Sequence, residues 1–124
     1  MIPKSTTKLK AGDFCFVQRT DGFFVPFVFL FPHLGRTSFF GGIVNARVDT
    51  PDLSKLPMCL RVTEYAVVHV QCFAKNNTPI LGNILERIPK EDMRKIEKDV
   101  SEVKVGTIRN VWGYKTIFKY ANEL

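Results

Sequence analysis

The residues of this 124-residue chain that most readily carry catalysis or bind a metal are three cysteines and two histidines. Cys15, Cys59 and Cys72 show no C-x-x-C spacing, and His33 and His69 lie far apart in the sequence. Because structural zinc sites take four such ligands at short, regular spacings, the sequence predicts no metal site. Each cysteine lies in or beside an apolar run, where burial raises the pKa of a thiol. We therefore expect unreactive thiols that stay reduced in a cytoplasmic protein.

The motifs of the common enzyme classes do not occur in the sequence. It contains no G-x-S-x-G, no glycine-rich phosphate loop followed by Lys and Ser or Thr, and no H-E-x-x-H. A ribonuclease would need a base and a phosphate clamp, for which His33, His69, Arg36 and Arg47 are the candidates, but no local motif joins them. We therefore expect no catalytic residue and no cofactor, and we keep a nuclease as an alternative.

The chain is basic, with 18 Lys and Arg residues against 12 Asp and Glu residues and a net charge of +6. A moderate basic excess favours acidic partners, which include nucleic acids, acidic protein surfaces and anionic lipids. The basic residues are spread singly, however, which favours an ordinary solvated surface over a binding surface.

Phenylalanine is the most unevenly distributed residue, because nine of its 11 occurrences fall between residues 14 and 40. Exposed aromatic side chains beside Lys and Arg bind single-stranded nucleic acids by stacking on the bases. The candidates for that role are Phe23, Phe24, Phe39, Phe40, Tyr114 and Tyr120. Phenylalanine on strands more commonly fills a core, which is the alternative interpretation.

A β-hairpin is the clearest element that the sequence predicts. Residues 13–18 and 23–31 are rich in strand-forming side chains, and Asp21-Gly22 between them is a strong turn signal because glycine accepts a positive φ. Pro26 cannot donate a hydrogen bond to a neighbouring strand, so it predicts an edge position or a bulge.

The remaining pattern predicts more strands and one helix. We expect a strand over 37–48 that Gly41-Gly42 interrupts as a bulge or bend, and a helical turn at 52–56. Short strands are expected at 58–62, 66–73 and 80–85. Pro89 and the apolar stripe of Met93, Ile96 and Val100 predict a helix at 89–100, and the aromatic tail predicts strands over 105–121.

These elements predict a single domain, residues 1–124, of the mainly β (α+β) class. The expected architecture is a strongly bent antiparallel sheet or a partly open small barrel with one helix packed on it. The first residues lack the apolar segment of a secretory signal, and the longest apolar run, 23–31, is far shorter than the roughly 20 residues of a membrane helix. We therefore expect a cytoplasmic protein with no membrane partner.

Several segments resemble a family of bacterial inhibitors. The first segment resembles the opening of the twenty-sixth immunity-protein family of bacterial polymorphic toxin systems. It consists of a basic lead, Gly12-Asp13, an apolar strand, Asp21-Gly22 and an aromatic return strand. Residues 60–62 and 65–67 resemble its later strand and the segment after it, and 77–84 resemble its closing strand, so that the resemblance covers about 8–88.

The resemblance implies a protein that binds and neutralises a cognate toxin domain, with no catalysis and no cofactor. It identifies no toxin-contact residue, so the partner-binding residues stay unassigned. The charge of +6 suits an acidic toxin surface or a toxin that is not a nuclease. A small β-barrel protein that binds nucleic acid is the alternative function.

Overall fold

An open six-stranded sheet organises the protein. The computed structural model describes residues 10–31, 38–69, 81–101, 111–112 and 114–123. The strands are β1 (Asp13–Gln18), β2 (Phe24–Phe31), β3 (Ser38–Val44), β4 (Val62–His69), β5 (Gly82–Asn83) and β6 (Val111–Trp112). Their spatial order is β5-β1-β2-β3-β4-β6, and every neighbouring pair is antiparallel except β4 and β6, which are parallel. The predicted mainly β class, with an open antiparallel sheet and helix packing, is confirmed.

The predicted hairpin joins β1 to β2 through a three-residue loop. The backbone N–H of Arg19 donates to the carbonyl of Phe23 at 2.7 Å, and that of Gly22 donates to Arg19 at 3.1 Å. Gly22 has a φ of +89°, the left-handed conformation that closes three-residue loops of this kind. Asp21 fixes the loop further, because its Oδ1 accepts the N–H of Phe23 at 3.0 Å.

The central strands are buried on both faces of the sheet, because side chains alternate along a strand and both sets here are apolar. One set forms a core that we call the odd face, because its members in β1, β2 and β3 have odd residue numbers. Its strand residues are Cys15, Val17, Val25, Phe27, Phe29, Phe39, Ile43, Ala66 and Val68. The opposite set forms the even face, whose strand residues are Phe14, Phe16, Val28, Leu30, Phe40 and Val44. Loop residues between β3 and β4, together with Ile84 and Ile88, complete the even face.

The phenylalanine cluster fills these two cores. Six of its nine members are buried: Phe14, Phe16, Phe27, Phe29, Phe39 and Phe40. Phe24 and Phe31 are half-buried against the even face, and Phe23 is 40% exposed. The rings meet edge-to-face, as between Phe29 and Phe39 with centroids 4.5 Å apart. The uneven distribution in the sequence therefore reflects a sheet with aromatic side chains on both sides.

Gly41 and Gly42 do not interrupt β3, so the predicted interruption of the strand is wrong. An irregularity is present in the pairing, because the register of β2 against β3 shifts between Phe29, opposite Gly41, and Phe31, opposite Phe40. The strand runs continuously through both glycines, which pair with residues of β2 and β4. A Cβ on Gly41 would lie 2.4 Å from Cζ of Phe27 and 2.8 Å from Cε2 of Phe39. The glycine therefore provides the space that the aromatic rings occupy.

Pro26 does not lie on an edge strand, because β2 pairs with β1 on one side and β3 on the other. It is opposite Phe16 of β1, between the Phe27–Ile43 pair of the β3 ladder and an isolated bridge from Phe24 to Val48. This gap in the ladder accommodates a residue that has no N–H to donate.

Two helices pack on opposite faces of the sheet. The predicted helix, α1 (Lys90–Ser101), adds Ile96 to the even face. Residues 114–122 form a second helix, α2 (Tyr114–Asn122), so the prediction of strands there is wrong, while β6 occupies 111–112. Ile117 and Ala121, one helical turn apart, are fully buried on the odd face. This burial outweighs the strand preference of the aromatic and β-branched residues around them. The other residues of the predicted tail strands, 105–110 and 113, lie outside the described residues.

The segments between the longer strands also differ in part from the prediction. A single strand, β4, replaces the two strands expected over 58–62 and 66–73, and residues 70–73 lie outside the described residues. The helical turn is confirmed as a 3-10 turn, Leu53–Lys55, which begins at Asp52 with Oδ1 accepting the N–H of Ser54. The 80–85 region contains β5, followed by a second 3-10 turn, Leu85–Arg87.

Candidate functional site

The cysteines occupy different environments. Cys15 is fully buried on the odd face, and burial raises the pKa of its thiol, as expected. Cys59 is exposed, so the expectation that it is buried is wrong. Cys72, His33 and Arg36 lie outside the described residues.

The cation and the base considered for a ribonuclease are far apart. His69 pairs with Ser38 at one end of the β3–β4 ladder, whereas Val44 pairs with Val62 at the other end. These ends are about 20 Å apart, from six residues at roughly 3.4 Å each. Arg47 follows Val44, so β3 does not bring Arg47 and His69 into one site.

Two further features, a metal-ligand cluster and a membrane-spanning helix, are absent from the part of the chain that the structure describes. No three His, Cys, Asp or Glu side chains of the described residues lie together as a metal site would require. The helices of the described chain also lack the length and apolar character needed to cross a membrane.

The burial of Phe39 and Phe40 removes them from the set that could stack on nucleic-acid bases. Phe24 and Tyr120 are half-buried, and each contacts one of the two cores. Among the aromatic side chains that the structure describes, Phe23 alone is exposed, and the side chain of the candidate Tyr114 lies outside those described. The guanidinium carbon of the exposed Arg47 lies 5.8 Å from the centroid of the Phe23 ring.

The hairpin tip, residues 19–23, is held in place by α2. Both the backbone N–H and the hydroxyl of Thr20 donate to Oδ1 of Asn122, at 3.0 and 2.9 Å. The amide of Asn122 is in turn oriented by the carbonyl of Phe118 at 2.8 Å. Arg19 and Asp21 form an ion pair of 3.1 Å across the loop. These contacts constrain the backbone that presents Phe23.

A second site is a cleft of about 240 Å³ between β4 and α1, which we call the β4–α1 cleft. Its lining residues are Arg61, Val62, Thr63, Tyr65, Asp92, Lys95 and Ile96. Nε and Nη2 of Arg61 donate to the two carboxylate oxygens of Asp92, each at 2.7 Å. These hydrogen bonds and the charge of Asp92 raise the pKa of Arg61 above its usual value.

Backbone contacts fix the position of Arg61. Its carbonyl accepts the N–H of Asn45 at 2.9 Å, and its own N–H donates to Oδ1 of Asn45 at 3.3 Å. The backbone of Arg61 is therefore fixed immediately before β4, and its guanidinium contacts α1 through the hydrogen bonds to Asp92. Sequence reasoning missed this pair, because the partners are 31 residues apart and no motif links them.

Most of the basic excess lies outside the described residues. The described ranges hold 12 of the 18 basic residues and 11 of the 12 acidic residues. The described surface is thus nearly neutral in sum, and its positive sites are local.

Comparisons of the chain with protein-family models, curated proteins and solved structures give no match.

Proposed function

We propose that this protein is an immunity-type inhibitor, a cytoplasmic protein that binds and neutralises a cognate bacterial toxin domain without catalysis. The resemblance of residues 8–88 to an immunity-protein family is the basis of the proposal. The hairpin that begins at Gly12-Asp13 and turns at Asp21-Gly22 agrees with the order of elements that the resemblance implies.

The observation that carries the proposal is the exposed Phe23 on a constrained hairpin tip, with the exposed Arg47 of the segment after β3 against its ring. Aromatic and arginine side chains are enriched among the few residues that dominate the affinity of protein–protein interfaces. An aromatic ring on an ordered loop also loses little conformational entropy on binding, which increases affinity. Thr20, held by Asn122, supplies that order at the tip.

Co-purification with the product of the neighbouring upstream gene tests the function, and the variant Phe23→Ala tests the surface. Loss of a central aromatic contact costs about 2 kcal/mol, so we expect binding about 30-fold weaker. Leu81→Ala is the matched control, because Leu81 is also 40% exposed but lies beside β5. We expect the control to bind within about twofold of the unmodified protein.

Equal binding by Phe23→Ala and the unmodified protein would show that the hairpin tip is not the contact surface. A neighbouring toxin domain that inhibits cells equally with and without this protein would contradict the function itself. Circular dichroism melts of both variants confirm that altered binding does not come from unfolding.

Nucleic-acid binding, the alternative function, is tested by a salt titration. The +6 charge favours it, whereas the burial of Phe39 and Phe40 removes two of its stacking candidates. Affinity for a single-stranded oligonucleotide that falls steeply as salt rises, together with no binding to the toxin domain, would favour this alternative.

A further inference from the structure

The β4–α1 cleft contains two positively charged side chains, Arg61 and Lys95, and the carboxylate of Asp92 neutralises only one of these charges. We propose that this cleft is a carboxylate-binding site whose natural occupant is an acidic side chain of the toxin domain. The identity of the occupant rests on the proposed function, whereas carboxylate binding itself does not.

Arg61 is the central donor of the cleft. Asp92 engages its Nε and one side of Nη2, while the remaining three of the five guanidinium N–H groups have no acceptor among the described residues. The Asp92 side chain is only 13% exposed and the Arg61 side chain 53% exposed. Asp92 therefore fixes the plane of the guanidinium from inside and leaves its outer edge available to solvent or a ligand. That edge offers parallel N–H groups, a geometry that matches a carboxylate.

Lys95 adds a second cation to the same cleft. It is exposed on α1, and the ion pairs found among the described residues do not include it. The lining itself carries two cations and one carboxylate, a net charge of +1, while Glu91, whose charge also acts on Arg61, lies outside the lining. A single additional carboxylate would balance that charge.

The size of the cleft favours a side chain over a cofactor. Its volume of about 240 Å³ is below the roughly 300–1,000 Å³ of sites that enclose small organic ligands. Asp92 would also repel the closely spaced phosphates of a nucleic acid more strongly than one isolated carboxylate. An aspartate or glutamate side chain on a protein surface is therefore the occupant that best fits the volume and the charge.

The first test uses the isolated full chain and an acetylated, amidated tetraglutamate peptide. In a nuclear magnetic resonance titration, we expect the largest amide shifts at Thr63, Tyr65 and Lys95. Reversal of one charge by Lys95→Glu places like charges together, and we expect affinity at least tenfold lower. Lys90→Glu is the matched control, since Lys90 is exposed on the same helix but outside the cleft lining. We expect it to change affinity by less than threefold.

Shifts that cluster elsewhere, or equal losses in Lys95→Glu and Lys90→Glu, would overturn the carboxylate site. The carboxylate site would also be overturned by a competition experiment with a single-stranded oligonucleotide. The overturning result is that the oligonucleotide removes the bound peptide from Thr63 and Lys95 at a lower concentration than additional free peptide requires. Thermal melts of both variants keep the comparison valid, because each changes an exposed side chain and should leave the melting temperature within a few degrees.

The second test repeats the charge reversal with the toxin domain. Toxin binding that Lys95→Glu weakens at least tenfold supports the acidic side chain as occupant. If Lys95→Glu and the unmodified protein bind the toxin domain equally, the acidic toxin side chain is not the occupant of the cleft, and the proposed function stays intact. No toxin binding by the unmodified protein, with peptide binding retained at the cleft, overturns the proposed function and the occupant but supports the carboxylate site.

Discussion

Gly41→Ala is the substitution whose effect the packing defines most sharply. The added methyl would lie 2.4 Å from Cζ of Phe27 and 2.8 Å from Cε2 of Phe39, whereas carbon atoms in contact are normally about 3.5–4.0 Å apart. Both rings are fully buried and pack edge-to-face with centroids 6.1 Å apart, so neither can move away without displacing the other. Overpacking of a core costs about 1–3 kcal/mol, and two obstructed rings place this variant near 3 kcal/mol.

This loss is a large part of the roughly 5–15 kcal/mol that stabilises a typical domain. With an unfolding entropy of about 2.1 cal/mol/K per residue, each kcal/mol corresponds to about 4 °C for this chain length, so we expect a melting temperature about 12 °C lower. Urea titration followed by circular dichroism should give the same free-energy loss with an unchanged denaturant slope.

A double-mutant cycle with Phe27→Leu identifies the cause. Leucine is shorter than phenylalanine and creates room for the methyl group of Gly41→Ala. We therefore expect the double variant to be less destabilised than the sum of the single variants by about 1 kcal/mol or more. A Gly41→Ala variant within about 0.5 kcal/mol of the unmodified protein, or a cycle with no coupling, would refute the packing of these rings on the glycine.

Three further predictions concern the turn, the thiols and an acidic group. Gly22→Val should lower stability by about 2 kcal/mol, because the φ of +89° resists a β-branched residue although no atom lies within 4 Å of the new Cβ; an unchanged melting temperature would contradict the turn. A thiol reagent should label Cys59 in the folded protein and Cys15 only after unfolding; mass spectrometry that finds equal labelling rates would contradict this. The backbone N–H of Ser54 lowers the pKa of Asp52 in the folded protein, so the stability from its ionised form is complete above about pH 4 and is lost as pH falls through the folded pKa. Asp52→Asn should therefore reduce the acid-induced fall in melting temperature, and identical pH profiles would argue against this linkage.

The parts of the fold that the sequence predicted depend on contacts close in the chain. The hairpin turn needs only Asp21, Gly22 and their neighbours, and α1 follows from Pro89 and an apolar stripe. Both signals are local, so they can be interpreted without knowledge of the rest of the fold.

The parts that the sequence did not predict depend on distant partners. The α2 segment contains aromatic and β-branched residues that favour strands, and only the burial of Ile117 and Ala121 on the odd face selects the helix. Gly41 looked like a strand break because the rings that fill its missing side chain come partly from another strand. The two candidate sites are equally non-local, since Thr20 and Asn122 are 102 residues apart.

The position of α2 in the chain has a consequence for synthesis in the cell. Phe27, Phe29 and Phe39 belong to strands that leave the ribosome about 70 residues before α2, which supplies Ile117 and Ala121 to the same core. At roughly 5–20 residues per second, the aromatic surface of the nascent sheet lacks this cover for several seconds. During that interval the growing chain exposes the kind of apolar surface that chaperones bind and that drives aggregation. We therefore expect yield in the cell to depend on the rate at which the later codons are translated, even when the finished protein is stable.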